Sequence, residues 1–412
     1  MGALSNVRVI DLTMGWAGPL ATMLLAAAGA EVIKVEACQH PDWFRVPRPP
    51  RGMEGLPHEQ SPAFNGTNLN KVGITLNLRD ARGKALFKQL IGVGDVVVEN
   101  YSPRAMPELG LPYTVLQQVN PQIIMVSMPA FGASGPWKGY IGYGQTVEPM
   151  SGLTALTGYE GGSPLLLSNG GDPFVALNGA VAILTALHHR QVTGRGQHVE
   201  VSHIEAVTPF VGGALMDYLL NKRVRPRRGN RHRDYAPHGC YRCRGQDQWV
   251  AMTISSDQEW QRFCGVIGRP ALAQDERFHD AASRLKHPVE LDAVVEEWTA
   301  QRDRYEVMQL LQEKGIAAGP VLSNAEITDD PHLQERGFFQ EVARAHVGTH
   351  LYPGVPISLS GTPVTISGPA PCLGEDNRWV LEELLGLAPN ELASLAADKV
   401  IGDTPSDAGP AP

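Results

Sequence analysis

An aspartate set directly before a long apolar segment can serve as a covalent nucleophile in acyl transfer, and Gly171-Asp172-Pro173 places one ahead of residues 174–189 (FVALNGAVAILTALHH). The same residues also spell an ordinary helix start, with Asp a favoured cap and Pro a favoured first helical residue. A carboxylate at a helix N-terminus is oriented by backbone N–H groups in either role, so the local sequence leaves both readings open. Thr13-Met14-Gly15-Trp16-Ala17-Gly18-Pro19 joins a strand pattern to a helix pattern, and Glu36 closes the next strand, where a ribose-binding acid would lie. Its glycines do not form G-x-G-x-x-G, and Trp16 crowds an approaching pyrophosphate. The loop therefore argues against a nicotinamide or flavin site and for another nucleotide-containing ligand, whose phosphates a helix N-terminus can still hold. Cys240-Tyr241-Arg242-Cys243, near His232 and His238, is a lone C-x-x-C with no second pair at finger or ribbon spacing; it reads as small core residues of a strand, and no metal is expected. The basic run Lys222 to Arg233 (KRVRPRRGNRHR) has no interleaved aromatic residue to stack bases, and reads as a connector at a domain boundary or part of a subunit interface.

The elements that must position these residues alternate between strand and helix. Val7 to Leu12 is a strand pattern, an Ala- and Leu-rich helix runs to Ala28, and Glu31 to Val35 is a second strand. Asp95 to Glu99 and Gln122 to Ser127 are further buried-strand patterns, each preceded by a helical one, as in a parallel sheet. Residues 174–189 are apolar almost all round, which predicts a helix buried on every side. The turn Thr193 to Gly196 leads into a strand from Gln197 to Ser202, and a last helix is expected over Arg378 to Leu385. The fold class expected is α/β: a Rossmann-like large domain built from residues 1–224 and 336–401, a smaller α/β domain at 225–335, and a disordered tail at 402–412.

The bulk numbers agree with an enzyme. The 412 residues are 43% hydrophobic and 19% charged, an ordinary folded balance. A net charge of -8 offers no global attraction to nucleic acid or an anionic membrane, so neither is expected as a partner. Five cysteines in a chain this large suggest a reducing compartment, and no leader of charged and apolar regions is visible at the start, so a cytoplasmic location is expected.

Several stretches in order carry a resemblance: RVIDLTMGWAGPLATMLLAAAGAEVIKVE (8–36), NLNKVGITLNLRDARGKAL (68–86), DVVVENYSPRAMPELGL (95–111), FGASGPWKGYIGY (131–143), Asp172 through ALHHRQVTGRGQHVEVS (186–202), and GPAPCLGEDN (368–377). From Val7 to about Leu387 the chain resembles the family III coenzyme A (CoA) transferases, the CaiB/BaiF family, which includes formyl-CoA, carnitine and bile-acid CoA transferases and the related α-methylacyl-CoA racemases. The resemblance implies that Asp172 is the nucleophile, passing through a mixed anhydride and an aspartyl-CoA thioester, with oxyanions held by backbone N–H groups. It implies that Trp16 and Ala17 lie beside CoA and the reacting carbonyl, and that Leu76, Arg79, Asn100, Tyr101, Ser102, Arg104, Lys138 and Tyr143 make up the CoA and substrate contacts. It further implies an intertwined homodimer, acyl-CoA and small carboxylic acids as substrates, and no permanently bound cofactor.

The chain departs from the family pattern in three places. Trp16 stands where formyl-CoA transferases have Gln, Ala37 where they have a coenzyme-contacting Arg, and ENYSPR (99–104) replaces E-N-F-R-P-G. A bulky Trp16 points to an acid other than formate or oxalate, with a larger or apolar acyl group. The racemases pair the matching Asp with a His-Asp in the loop corresponding to Gly142-Tyr143-Gly144-Gln145, and racemisation through two faces needs two acid/base groups. Tyr143 stands there instead, which favours transfer over a racemase or a non-catalytic CoA-binding relative.

Overall fold

The computed structural model describes residues 2–45, 54–167 and 170–406. One compact unit comprises residues up to Thr154, Leu166–Met216 and the chain from Gln334 onward, and the other comprises Ala155–Leu165 and Asp217–Leu333.

The larger unit is organised by six parallel strands: β1 (Arg8–Asp11), β2 (Glu31–Glu36), β3 (Val72–Thr75), β4 (Val96–Glu99), β5 (Ile124–Ser127) and β6 (His198–Glu200). Their order, β3-β2-β1-β4-β5-β6, is that of a doubly wound Rossmann-type sheet. In register, Ile10 faces Ile33 on one side and Val97 on the other. Parallel strands are covered on both faces, so they read as unbroken apolar runs such as Val96-Val97-Val98. Alternation then splits the runs between two cores. Ile10, Ile33, Val97 and Met125 pack with the helix α2 (Ala81–Val93), whereas Val9, Val32, Val98 and Val126 pack with α1 (Ala17–Ala27) and α4 (Asp172–Thr193).

Two short helices complete the surroundings of the site, α3 (Gly144–Met150) and α5 (His203–Val207), and α6 (Gly212–Asn221) follows them in the chain. The long helix α4 ends at Gly194, whose φ of 71° supplies the left-handed C-terminal turn. It is not buried on every side. Val175, Ala176, Gly179 and Ile183 face inward, while Leu177, Val181, Leu184 and Val192 are exposed, because one chain supplies a sheet and helix for only one face of the helix.

The strand predicted from Gln197 is shorter, over His198–Glu200, and the last predicted helix is a π-helical turn over Trp379–Leu384. The outer edge of β3 is covered without a strand. Asp376 Oδ2 accepts the Gly73 N–H and Asn377 Oδ1 accepts the Thr75 N–H, while Gly402 exchanges two bonds with the Thr75 hydroxyl. Ser406 donates to the Cys38 carbonyl, and the rest of the expected tail, residues 407–412, lies outside the described residues.

The smaller unit has an antiparallel sheet of β7 (His238–Arg242), β8 (Trp249–Thr253) and β9 (Ala317–Pro320). Its core gathers Val250, Trp260, Phe263, Phe278 and Trp298 with the buried Cys243 and Cys264, and Cys240 is exposed. Arginines of the basic run are engaged within this unit: Arg225 on Asp217, Arg227 on the carbonyls of Ala155 and Gly162, and Arg231 on Asp292. No helix among the described residues is long and apolar enough to cross a membrane.

Candidate active site

Doubly wound sheets hold ligands beyond the C-terminal ends of their strands, and the loop after β1 is fixed there by buried charge. At the end of β1, Asp11 accepts the N–H and hydroxyl of Thr13 at 2.9 and 2.6 Å, and Lys71 reaches its other oxygen at 2.9 Å. Lys34 bridges the Thr13 carbonyl (2.8 Å) and Asp42 (2.9 Å), while the second oxygen of Asp42 takes the N–H groups of Gly15 and Phe44, each at 2.9 Å. Asn100, just past β4, closes a two-bond ring with the backbone of Met14 at 2.9 and 2.8 Å. Burial alone would raise the Asp11 carboxyl, but the Lys71 and Lys34 ammoniums outweigh it and hold it below the ordinary carboxylate value. Burial pushes Lys71 down to about 8.

Gly15 is required in this loop. Its φ is 77°, and a Cβ would lie 2.3 Å from Cζ2 of Trp43. Trp43 and Phe44 follow Asp42 directly, so the ion pair that holds the loop also sets two aromatic walls.

These pieces enclose a cavity of about 530 Å³ with Met14, Trp16, Trp43, Phe44 and Met128 as apolar walls. Its polar residues are Asn100, Tyr101, Tyr143, Gln145, Asp172 and His203. Asp172 is the first residue of α4, after the cap position held by Gly171, and Pro173 takes the next place. It makes no cap hydrogen bond, and none is accepted by its carboxylate from the described residues. The expectation of a cap oriented by backbone N–H groups is therefore corrected: the helix starts one residue earlier, with Gly171 at the cap and Asp172 as its first residue. Burial, together with the charge of Glu148, raises its carboxyl to about 6. Burial drives the His203 imidazole the other way, to about 4, so it stands neutral.

A second cavity, of about 490 Å³, adjoins the first and shares Met14 and Tyr101 with it. Leu76, Arg79 and Lys84 line it, together with Ala37 and Glu108. Of the sequence-predicted residues, Trp16, Ala17, Asn100, Tyr101, Tyr143 and Asp172 meet in the first cavity, and Leu76, Arg79 and Tyr101 in the second. Ser102, Arg104 and Lys138 are exposed and line neither; Arg104 reaches only Glu108, at 3.9 Å. Sequence reasoning missed Trp43, Lys84, Glu148 and His203. The spacing of these residues carries no motif. Among the described residues no group of three or more His, Cys, Asp or Glu side chains is arranged to hold a metal.

Comparison with known proteins bears on this geometry. The profile of CoA-transferase family III matches residues 4–377. The alpha subunit of succinyl-CoA–L-malate CoA-transferase from Chloroflexus aurantiacus is 34% identical over 400 residues, covering 97% of this chain and 92% of that protein. The succinate–glutarate CoA-transferase of Agrobacterium fabrum is 33% identical over 386 residues, covering 92% and 95%. The crystal structure of a CAIB/BAIF family protein from Brucella suis superposes with a TM-score of 0.84 at 28% identity, covering 93% of this chain and 99% of that one.

Proposed function

The chain belongs to CoA-transferase family III, and on that premise we propose that it moves CoA from an acyl-CoA donor to a carboxylic acid through covalent adducts of Asp172. The observation that carries this reading is the Asp172 carboxyl itself: partly buried, without a hydrogen bond from the described residues, raised to about 6, and set in the wall of a cavity that opens on a second one. A carboxylate that is partly desolvated and unpaired is a stronger nucleophile than one in water, and at pH 7 to 8 it is still ionised.

The Asp172 carboxylate attacks the thioester carbonyl; the C–S bond breaks, and its electron pair leaves with the CoA thiolate. The resulting mixed anhydride joins the donor acyl group to Asp172. The thiolate then attacks the Asp172 carbonyl carbon, releasing the donor carboxylate and leaving an aspartyl-CoA thioester. The acceptor carboxylate displaces CoA from that thioester, and the thiolate attacks the acceptor acyl carbon, giving the new acyl-CoA and free Asp172. Trp16, Trp43, Phe44 and Met128 keep the anhydride from water and favour an acid with an apolar body.

The coenzyme's phosphate-bearing half takes the second cavity, beside Arg79 and Lys84, and its arm passes Met14 and Tyr101 to reach Asp172. Ser102, Arg104 and Lys138 have no place on this path. The exposed apolar face of α4, with Leu215, Leu219 and Leu220 on α6, supports a homodimer that covers both helices. Five free cysteines support a reducing compartment such as the cytoplasm.

Racemisation is disfavoured by the same site. Tyr143 stands where a second base is needed, and His203, although it reaches the cavity, is too weak a base with its imidazole at about 4. The deciding experiment incubates the protein with an acyl-CoA, traps with borohydride or hydroxylamine, and maps the adduct by peptide mass spectrometry. A modified Asp172 is expected. CoA exchange that persists with Asp172 unmodified sinks the assignment, and deuterium entering the α-carbon without exchange makes the protein a racemase.

A further inference from the structure

The two adjoining cavities sort charge between them. Arg79 and Lys84 line the second, whereas no Lys or Arg is found among the described residues that line the first. Cations close by in the fold are spent elsewhere. Lys34 is held by Asp42, Lys71 by Asp11, and Arg45, the residue after Phe44, by Glu36 and Glu59, all of them buried. His203 adds no positive charge, since burial keeps its imidazole neutral. Among the described lining residues of the first cavity, Asp172 is the sole carboxylate.

The apolar part of that cavity is an aromatic corner. The Trp43 ring stands edge-on to Phe44, with centroids 4.5 Å apart, and to Tyr143, at 6.1 Å. Trp43 keeps 47% of its surface exposed, so the corner offers apolar area that the described residues do not cover. A ring or alkyl chain laid against it gains burial and ring contact. A second carboxylate on the substrate would meet the opposite conditions. It would give up water for aromatic, amide and hydroxyl groups, with no cation to pair and with the Asp172 charge in the same cavity. Donor acyl group and acceptor acid use this cavity in turn, so the selection applies to both.

We propose that the acids exchanged at Asp172 are monocarboxylates whose far end is an uncharged ring or alkyl chain lodged against Trp43 and Phe44, and that the first cavity rejects dicarboxylates. This rests on the reading of Asp172 as the nucleophile.

The test compares acids of matched length and shape. With 3-phenylpropionyl-CoA as donor, kcat/KM at neutral pH is measured for pentanoate, glutarate and glutaramate, the monoamide in which the far carboxylate of glutarate becomes a neutral amide of the same shape. Pentanoate and glutaramate are each expected to exceed glutarate by at least about a hundredfold. Gln145→Lys sets an ammonium in the cavity wall at an exposed position, and is expected to raise glutarate by at least about tenfold relative to glutaramate. Calorimetric titration of 3-phenylpropionate and glutarate onto the wild type reads the same preference without turnover. Glutarate exchanged as well as glutaramate, bound as well as 3-phenylpropionate, or unmoved by Gln145→Lys overturns the inference, and so does a failure of 3-phenylpropionate to bind. Should no acid be exchanged while 3-phenylpropionate binds in preference to glutarate, the transferase reading fails and the selectivity stands.

Discussion

Lys34 and Asp42 form an ion pair at 2.9 Å in which neither side chain has any exposed surface. The pair does not serve stability alone. Through the Thr13 carbonyl on one side and the Gly15 and Phe44 N–H groups on the other, it fixes the loop that carries Met14 and Trp16 into the cavity. Burial opposes the Lys34 charge, but Asp42, Asp11 and Glu36 outweigh it and hold the ammonium above its ordinary value. Lys34→Met leaves Asp42 buried without its partner, at an expected loss of about 3–5 kcal/mol of stability. Urea unfolding measures it, and Lys34→Met/Asp42→Asn is expected to recover part of the loss.

Asp172→Asn is expected to abolish exchange and stabilise the fold. The native carboxyl, at about 6 against the ordinary 3.8, binds a proton more tightly than the unfolded chain does. Stability therefore falls as pH rises through that window and stays lower above it. An uncharged amide escapes this, so at pH 8 the variant gains on the order of 1–3 kcal/mol over the wild type, and the gain vanishes near pH 4. Denaturant titrations at the two pH values read the difference; a variant less stable than the wild type at pH 8 refutes the charge argument.

Gly15→Ala forces a Cβ against Trp43 at a backbone angle that alanine rarely adopts, so Trp43 must move. A stability loss of about 1–3 kcal/mol is expected. Because Trp43 lines only the first cavity, the KM for the acid is expected to rise by about tenfold, with the KM for acyl-CoA changing less than about twofold. Steady-state kinetics with each substrate varied separates the two.

Arg79 and Arg104 test the path of the coenzyme. Arg79→Ala removes a cation lining the second cavity, and the KM for acyl-CoA is expected to rise by about tenfold, less so in high salt. Arg104 is 74% exposed and meets only Glu108, so Arg104→Ala is expected to change it by less than about twofold.

Much of the architecture is legible in the sequence because parallel strands are covered on both faces: Val96-Val97-Val98 can hardly be anything else. The neighbourhood of Asp172 was less legible for physical reasons. Asp-Pro suits both the cap and the first turn, and only the placement of Gly171 separates them. His203 shares the cavity with Asp172, and Glu148 raises its carboxyl, from helices that carry no motif and that only tertiary packing brings to this part of the fold. An apolar helix such as α4 looks the same in sequence whether its outer face meets its own chain or remains exposed, as Val181 does.

The seal on the outer edge of β3 orders events during synthesis. Thr75 leaves the ribosome 327 residues before the Gly402 that bonds to it, and Asp376 and Asn377 also arrive late. Throughout that interval the nascent chain carries an open strand edge, the feature that invites pairing with other chains. Translation must pass residue 377 before the N–H groups of that edge are capped, and residue 402 before the Thr75 hydroxyl is, so a ribosome that stalls earlier leaves a product more prone to aggregate than to function.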